Sequence, residues 1–310
     1  MGIWKRYHSS RKIMGVFNRQ YDRLMGLITA YLNSSLEKME RYPETIFDSM
    51  EYSLFAGGKR LRPIMLLAVH ELLGGNIEES MPLAGGMEMI HTYSLIHDDL
   101  PAMDNDDFRR GRPTNHKIFG EGMAILSGDA LLNLAYETML ENALLYPDRL
   151  INHIRAINAI ARASGIRGMV GGQVVDLESE GKPVTADTLK YIHDHKTGSL
   201  FMASISASVM LENPSESAAR ALIEYGNSLG LAFQVVDDIL DVTGDRQEMG
   251  KNIGRDIDRG KATYIDKYGL ERSRSIVKSL YERALDQLAI FGPRGEFLSE
   301  LAGFIINRHN

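Results

Sequence analysis

Two short runs of carboxylates carry the chemistry in this sequence. In the first, His97-Asp98-Asp99-Leu100-Pro101-Ala102-Met103-Asp104 closes an apolar stretch, with Asp106 and Asp107 just beyond. In the second, Phe233-Gln234-Val235-Val236-Asp237-Asp238-Ile239-Leu240-Asp241 lies near the end of another. On a helix Asp237 and Asp241 stack one turn apart, with Asp238 beside them. Carboxylates grouped in this way repel one another, and burying them unpaired is costly. A divalent cation relieves both problems. Oxygen-only ligands favour magnesium, which takes one or two carboxylates and fills its other positions with water and substrate phosphates. Two such helices face to face would make a negative cleft able to hold several cations and, through them, a polyanion.

Basic groups alternate with the acidic ones: Lys59-Arg60-Leu61-Arg62, Arg109-Arg110-Gly111-Arg112, Lys196, and Lys251 with Lys261. Lys59 and Arg62 can share one side of a first helical turn. Gly57-Gly58 lets backbone come close, and an adjoining helix N-terminus favours an anion. The economical partner is a diphosphate held directly by arginine and lysine. One diphosphate held through metals and another held by cations alone is therefore what the pattern asks for. The sequence has no Gly-x-Ser-x-Gly elbow, no thiol and no Gly-x-x-x-x-Gly-Lys-Ser/Thr loop, so hydrolysis through an ordinary nucleophile or nucleotide loop is disfavoured. Metal-assisted departure of a diphosphate, with attack by a second bound molecule, fits best.

The elements that must position these groups read as helices almost throughout, because apolar residues recur at helical spacing and nowhere alternate over a sustained run. Helices are expected over 16–39, 61–73, 81–100, 124–145, 149–164, 169–180, 185–211, 215–242, 264–290 and 296–307, with a shorter one from Pro43 that Gly57-Gly58 ends. Small residues at Ala203, Ser204, Ser206, Ala207 and Ser208 predict close helix packing. Two stretches break the pattern, 101–120 and 244–262, and each starts beside an acidic cluster. The second holds four glycines with Lys251, Arg255, Arg259 and Lys261, as a lid over phosphate requires. The chain reads as one all-helical domain over 16–310 behind a basic, disordered extension over 1–15.

Bulk properties set limits. Hydrophobic residues make up 44% and charged residues 25%, values ordinary for a globular chain with a sizeable core. A net charge of −6 argues against a nucleic-acid binder. No apolar run is long enough to span a membrane. The absence of cysteine removes disulfides and thiolate metal sites and suits a reducing compartment, here taken as the cytoplasm.

Taken together, these motifs resemble the short-chain trans-prenyltransferases, most closely the bacterial farnesyl diphosphate synthases. The resemblance covers roughly residues 20–310. It rests on Gly-Gly-Lys-Arg-Leu-Arg-Pro at 57–63, the first acidic run at 94–104, Arg-Arg-Gly-Arg-Pro-Thr-Asn-His at 109–116, and Gly-Gly-Gln at 171–173. Lys-Thr-Gly at 196–198, the second acidic run and the lysine loop at 250–263 complete it. It implies an all-α bundle whose cleft lies between the helices bearing the acidic motifs, a homodimer, and three magnesium ions when substrate is bound. Asp98, Asp99, Asp104, Asp237, Asp238 and Asp241 would hold the metal. Arg109, Lys196, Lys251 and Lys261 would hold the allylic diphosphate, and Lys59, Arg62, His91 and Arg110 isopentenyl diphosphate. Thr197 and Gln234 would offer oxygens to the allylic cation, with Lys196 nearby. Tyr93 and Ser94 would set chain length, the Tyr93 ring forming a floor that stops growth at farnesyl diphosphate. Geranylgeranyl diphosphate is the alternative product, and a non-catalytic regulatory subunit or a terpene cyclase are the rival classes. Asp176 and Glu178 read as ordinary helix positions.

Overall fold

A computed structural model describes residues 11–182, 184–243 and 263–307. Its helices are α1 (Arg11–Glu37), α2 (Glu44–Leu54), α3 (Leu61–Leu72), α4 (Ile77–Asp98), α5 (Asn115–Phe119), α6 (Glu121–Leu144), α7 (Leu150–Ser164), α8 (Met169–Ser179) and α9 (Ala186–Ile192). A π-helical turn, His193–Gly198, runs directly into α10 (Ser199–Glu212). Then follow α11 (Glu216–Thr243), α12 (Tyr264–Tyr268), α13 (Leu270–Leu288) and α14 (Glu296–Ile306). Among the described residues the only strands are β1 (Phe108–Arg109) and β2 (Arg112–Pro113), a single antiparallel pair.

The expected all-α architecture is the one found. Helices α3, α4 and α10 are apolar nearly all round and lie inside the others, as such helices must. One continuous apolar core joins residues from α1 to α14. The small residues of α10 do let neighbours approach: Ser208 Oγ donates to the Leu66 carbonyl of α3 at 2.7 Å.

Differences from the expected bounds have local causes. Helix α1 begins at Arg11 rather than 16. Helix α4 starts at Ile77, where the Asn76 side chain caps the Glu78 N–H at 3.1 Å and Glu78 and Glu79 favour the positive end of the dipole. Pro82 is accommodated near that start. The run expected over 185–211 is interrupted by the π turn, and the run over 264–290 breaks at Gly269, whose φ is 75°. The expected loop at 101–120 contains the hairpin and α5. The loop expected at 244–262 lies outside the described residues, as do residues 1–10 of the N-terminal extension. Among the described residues, no helix is long and apolar enough to cross a membrane.

Candidate active site

Both acidic runs fall at helix C-termini. Asp98 is the last residue of α4, and Asp237, Asp238 and Asp241 occupy the last two turns of α11. Backbone carbonyls and the negative end of the dipole make these the worst places on a helix for uncompensated carboxylates and good places for a cation. After Asp99 the chain curls back over the end of α4: Asp104 N–H donates to the Asp98 carbonyl at 2.8 Å and Asp106 N–H to the Asp99 carbonyl at 3.2 Å. This satisfies carbonyls that the helix leaves open and returns Asp104 to the neighbourhood of Asp98. Burial is the main reason the Asp98 carboxyl is pushed up to about 6; Asp104 and Asp99 push the same way, while Lys196 opposes them. A divalent cation would reverse that shift. The donor set is carboxylate oxygen alone, and the adjacent His97 is turned away onto the Ile125 carbonyl at 3.0 Å. These residues fit magnesium.

Within each Asp-Asp pair the second member is committed elsewhere. Asp99 is 3% exposed and takes Arg109 Nε at 2.8 Å and Nη2 at 2.6 Å. Asp238 is 4% exposed, accepts the Tyr264 N–H of α12 at 2.7 Å, and takes Gln234 Nε2 at 3.3 Å. Each of these carboxylates therefore ties the chain that follows its own motif back onto the helix. Loops returning over the helix ends supply these partners. Tyr264 also stacks on His193 of the π turn, with centroids 5.5 Å apart. Lys251 and Lys261 lie outside the described residues, as does the side chain of Asp241.

Lys196 and Thr197 sit in the π turn, a wide turn that is frequent at functional sites. Lys196 Nζ donates to Asp176 Oδ2 of α8 at 2.6 Å, with both side chains mostly buried. Asp176 is thus part of the site, contrary to the expectation that it is an ordinary helix position; Glu178 is exposed. The Gly-Gly-Gln motif explains how α8 comes so close. A Cβ on Gly172 would lie 2.2 Å from the Lys196 nitrogen. The amide of neighbouring Gln173 is buried with no hydrogen-bond partner among the described residues.

The basic residues gather in a second group around His91 of α4. Arg60 is buried in a left-handed conformation, ion-pairs with buried Glu88 and donates to the Leu54 carbonyl at the end of α2. Lys59 lies 5.7 Å from the Phe304 ring, and its carbonyl accepts Tyr21 Oη at 2.5 Å. Arg62 Nη1 is 3.4 Å from His91 Nε2. An arginine can only donate, so this nitrogen is the acceptor and Nδ1 carries the proton. Burial first, then the charges of Arg62, Arg110, Arg109 and Arg60, hold His91 well below its usual range, leaving a neutral ring whose N–H can donate to an anion.

The β1–β2 hairpin separates two neighbouring arginines. Its two-residue turn, Arg110-Gly111, has φ of 53° and 73°, the mirror-image turn that matches strand twist. Arg109 goes to Asp99, while Arg110 Nη1 donates to the Gly57 carbonyl. Tyr52 of α2 anchors the hairpin by donating to the Pro113 carbonyl at 2.8 Å, with the Arg112 guanidinium 4.3 Å over its ring. Tyr93 is buried against His97, with ring centroids 5.7 Å apart, and burial pushes its phenol up to about 12. Ser94 Oγ donates to the His91 carbonyl at 2.9 Å. Residues whose partners were not anticipated from sequence are Glu88, Arg60, Tyr52 and Asp176. Only Glu88, an acid inside an apolar helix, carried a readable signal.

The chain matches the polyprenyl synthetase family over residues 43–289. It is 45% identical over 280 residues to a geranylgeranyl diphosphate synthase from Cyanophora paradoxa, covering 90% of this chain and 92% of that one. It is 48% identical to geranylgeranyl pyrophosphate synthase 3, chloroplastic, from Arabidopsis thaliana, covering 87% and 76%. A solved geranyltransferase structure from Legionella pneumophila superposes with a TM-score of 0.86 at 34% identity, covering 96% of this chain and 99% of that one. With such a fold, and acidic helix ends set beside a basic pocket, the chain belongs to the polyprenyl synthetase family and is a trans-prenyltransferase that extends prenyl chains.

Proposed function

We propose that the chain joins isopentenyl diphosphate head-to-tail (1′–4) to an allylic diphosphate, with magnesium, and that growth runs to geranylgeranyl diphosphate. The observation that carries the condensation is the pairing of two unlike sites: acidic helix ends, with Lys196 near enough to Asp98 to oppose its proton, and a group of arginines around neutral His91. Asp98 and Asp104 on one side, with Asp237 and Asp241 on the other, would hold the metal; Asp99 and Asp238 hold the loops. When bound, magnesium neutralises charge on the departing diphosphate. Arg109, Lys196, Lys251 and Lys261 bind the allylic diphosphate, and Lys59, Arg62, His91 and Arg110 bind isopentenyl diphosphate. Thr197 and Gln234 present oxygens to the allylic cation, and the apolar walls keep water from it. Attack by the isopentenyl double bond makes the new bond, and the proton then lost goes to the released diphosphate.

The twenty-carbon product replaces the fifteen-carbon one expected from sequence, since relatives named as geranylgeranyl synthases share 45–48% identity. Farnesyl diphosphate remains the second reading because one observation favours it: the Tyr93 ring is buried on α4, five residues before Asp98. The test is product length from isopentenyl and dimethylallyl diphosphates, with and without magnesium, for the native chain and for Tyr93→Ala. A twenty-carbon, magnesium-dependent product supports the first reading. A fifteen-carbon product that lengthens in Tyr93→Ala supports the second. No condensation without an added partner chain would point to a regulatory subunit instead.

We place the activity in the cytoplasm, on the cysteine-free sequence. We also propose a homodimer, formed through the exposed apolar side chains Leu126, Leu140 and Leu144 of α6 and Ile151 and Ile154 of α7. Sedimentation at the mass of one chain would exclude it.

A further inference from the structure

The Gly57-Gly58 turn and the hairpin tip belong to different motifs, yet they meet at one point. Arg110 holds a left-handed backbone, a strained conformation for a residue with a side chain. Its guanidinium reaches the Gly57 carbonyl and lies flat over Gly58. A Cβ on Gly58 would fall 2.7 Å from Arg110 Cζ, 2.8 Å from Nη2 and 2.9 Å from Nη1, so the whole group occupies the space a side chain would take. At Gly57 a Cβ would meet nothing within 4 Å. The two glycines share a positive φ, 92° and 116°, but only the second has the arginine in its place.

We propose that Gly58 is a positioning residue for the homoallylic diphosphate: its missing side chain is the seat of the Arg110 guanidinium. The turn and the hairpin then form one anion-binding unit. One acceptor, the Gly57 carbonyl, orients the planar group, and its remaining N–H donors are presented beside Lys59. An arginine fixed in this way binds a diphosphate with less loss of side-chain freedom than one that must first be ordered. A methyl at position 58 would meet only the far end of a flexible side chain. Beyond the backbone strain that any side chain meets at a φ of 116°, it would therefore act on the binding group directly. The inference rests on the assignment of Arg110 to isopentenyl diphosphate given above.

The test compares Gly58→Ala with Gly57→Ala, Arg110→Ala and the double variant Gly58→Ala/Arg110→Ala. The readouts are calorimetric titration with isopentenyl diphosphate, KM for each substrate, and thermal melting. Gly57→Ala reports the left-handed strain without the contact, and both glycine variants should lower Tm alike. Gly58→Ala should weaken isopentenyl diphosphate binding by about tenfold to a hundredfold beyond Gly57→Ala, the worth of a hydrogen bond to a charged group. KM for the allylic substrate should stay level, and Gly58→Ala should add nothing further once Arg110 is gone. Equal effects of the two glycine variants, or additive losses in the double variant, would overturn the seat. If Arg110→Ala alone left isopentenyl diphosphate binding unchanged, the assignment of Arg110 would fail instead.

Discussion

Replacing Gly172 by alanine tests how closely α8 must press on the π turn. The added Cβ would lie 2.2 Å from the Lys196 nitrogen, 2.7 Å from its Cα and 2.8 Å from the His195 carbonyl carbon. All three are backbone atoms, so no rotamer change can clear them. Restoring ordinary contact at 3.4 Å requires the two segments to part by about 1.2 Å. Overpacking of this kind costs about 1–3 kcal/mol, and rigid backbone on both sides places this case at the upper end. The same movement pulls Lys196 Nζ from Asp176 Oδ2, now 2.6 Å away, and displaces Thr197 with it. A shift of that size in groups that position substrate costs about a hundredfold in rate. Urea unfolding and kcat at saturating concentrations of both substrates measure the two effects. Gly226→Ala is the contrast, since its Cβ would meet Met202 Sδ at 2.7 Å and Ile205 Cδ1 at 2.6 Å, ends of side chains that can turn away. It should cost only about 1 kcal/mol. If Gly172→Ala unfolds at the native urea concentration and keeps kcat within about twofold, close approach of α8 is not what places Lys196.

Other consequences follow from buried charge. Arg60 and Glu88 side chains are 4% and 2% exposed, so Glu88→Gln leaves a guanidinium without its counter-ion and should destabilise the fold by about 3–5 kcal/mol in urea unfolding. A loss under about 1 kcal/mol would show that Arg60 finds other compensation. Asp98 titrates near 6 when folded against 3.8 as a free group, so the folded state holds its proton more tightly. Its contribution is most favourable below pH 3.8 and is lost as pH rises through 6. In metal-free protein at pH 7, Asp98→Asn should therefore be more stable than the native chain by about 3 kcal/mol, with the gap closing towards pH 4. The opposite sign would refute the burial argument. Magnesium affinity measured by calorimetry should fall by about tenfold per unit below pH 6, as the proton competes for the same carboxylate.

The sequence carries the helices and the two acidic helix ends openly, because apolar spacing and clustered carboxylates are local patterns. What it hides are pairings between distant residues. Arg60 finds Glu88 across 28 positions and Lys196 finds Asp176 across 20. The division of labour within Asp98-Asp99 and Asp237-Asp238 depends on where the following chain returns, which four identical residue types cannot disclose. The hairpin at 108–113 is too short to show alternation, and only its Arg110-Gly111 corner hints at a turn. The break at Gly269 was legible in principle, since a glycine inside a helical run marks a possible stop.

The π turn at 193–198 has a further meaning in terms of insertions and deletions. A turn closed by i→i+5 bonds holds one residue more than an α turn, so the helix has in effect absorbed a one-residue insertion. Removing one residue there would give an unbroken α-helix and rotate everything upstream by about 100° relative to α10. Helix content would rise, yet Lys196 and Asp176 would no longer meet. The length of this six-residue stretch is thus constrained as tightly as its composition. A relative carrying a gap here would have to hold its substrate by other means.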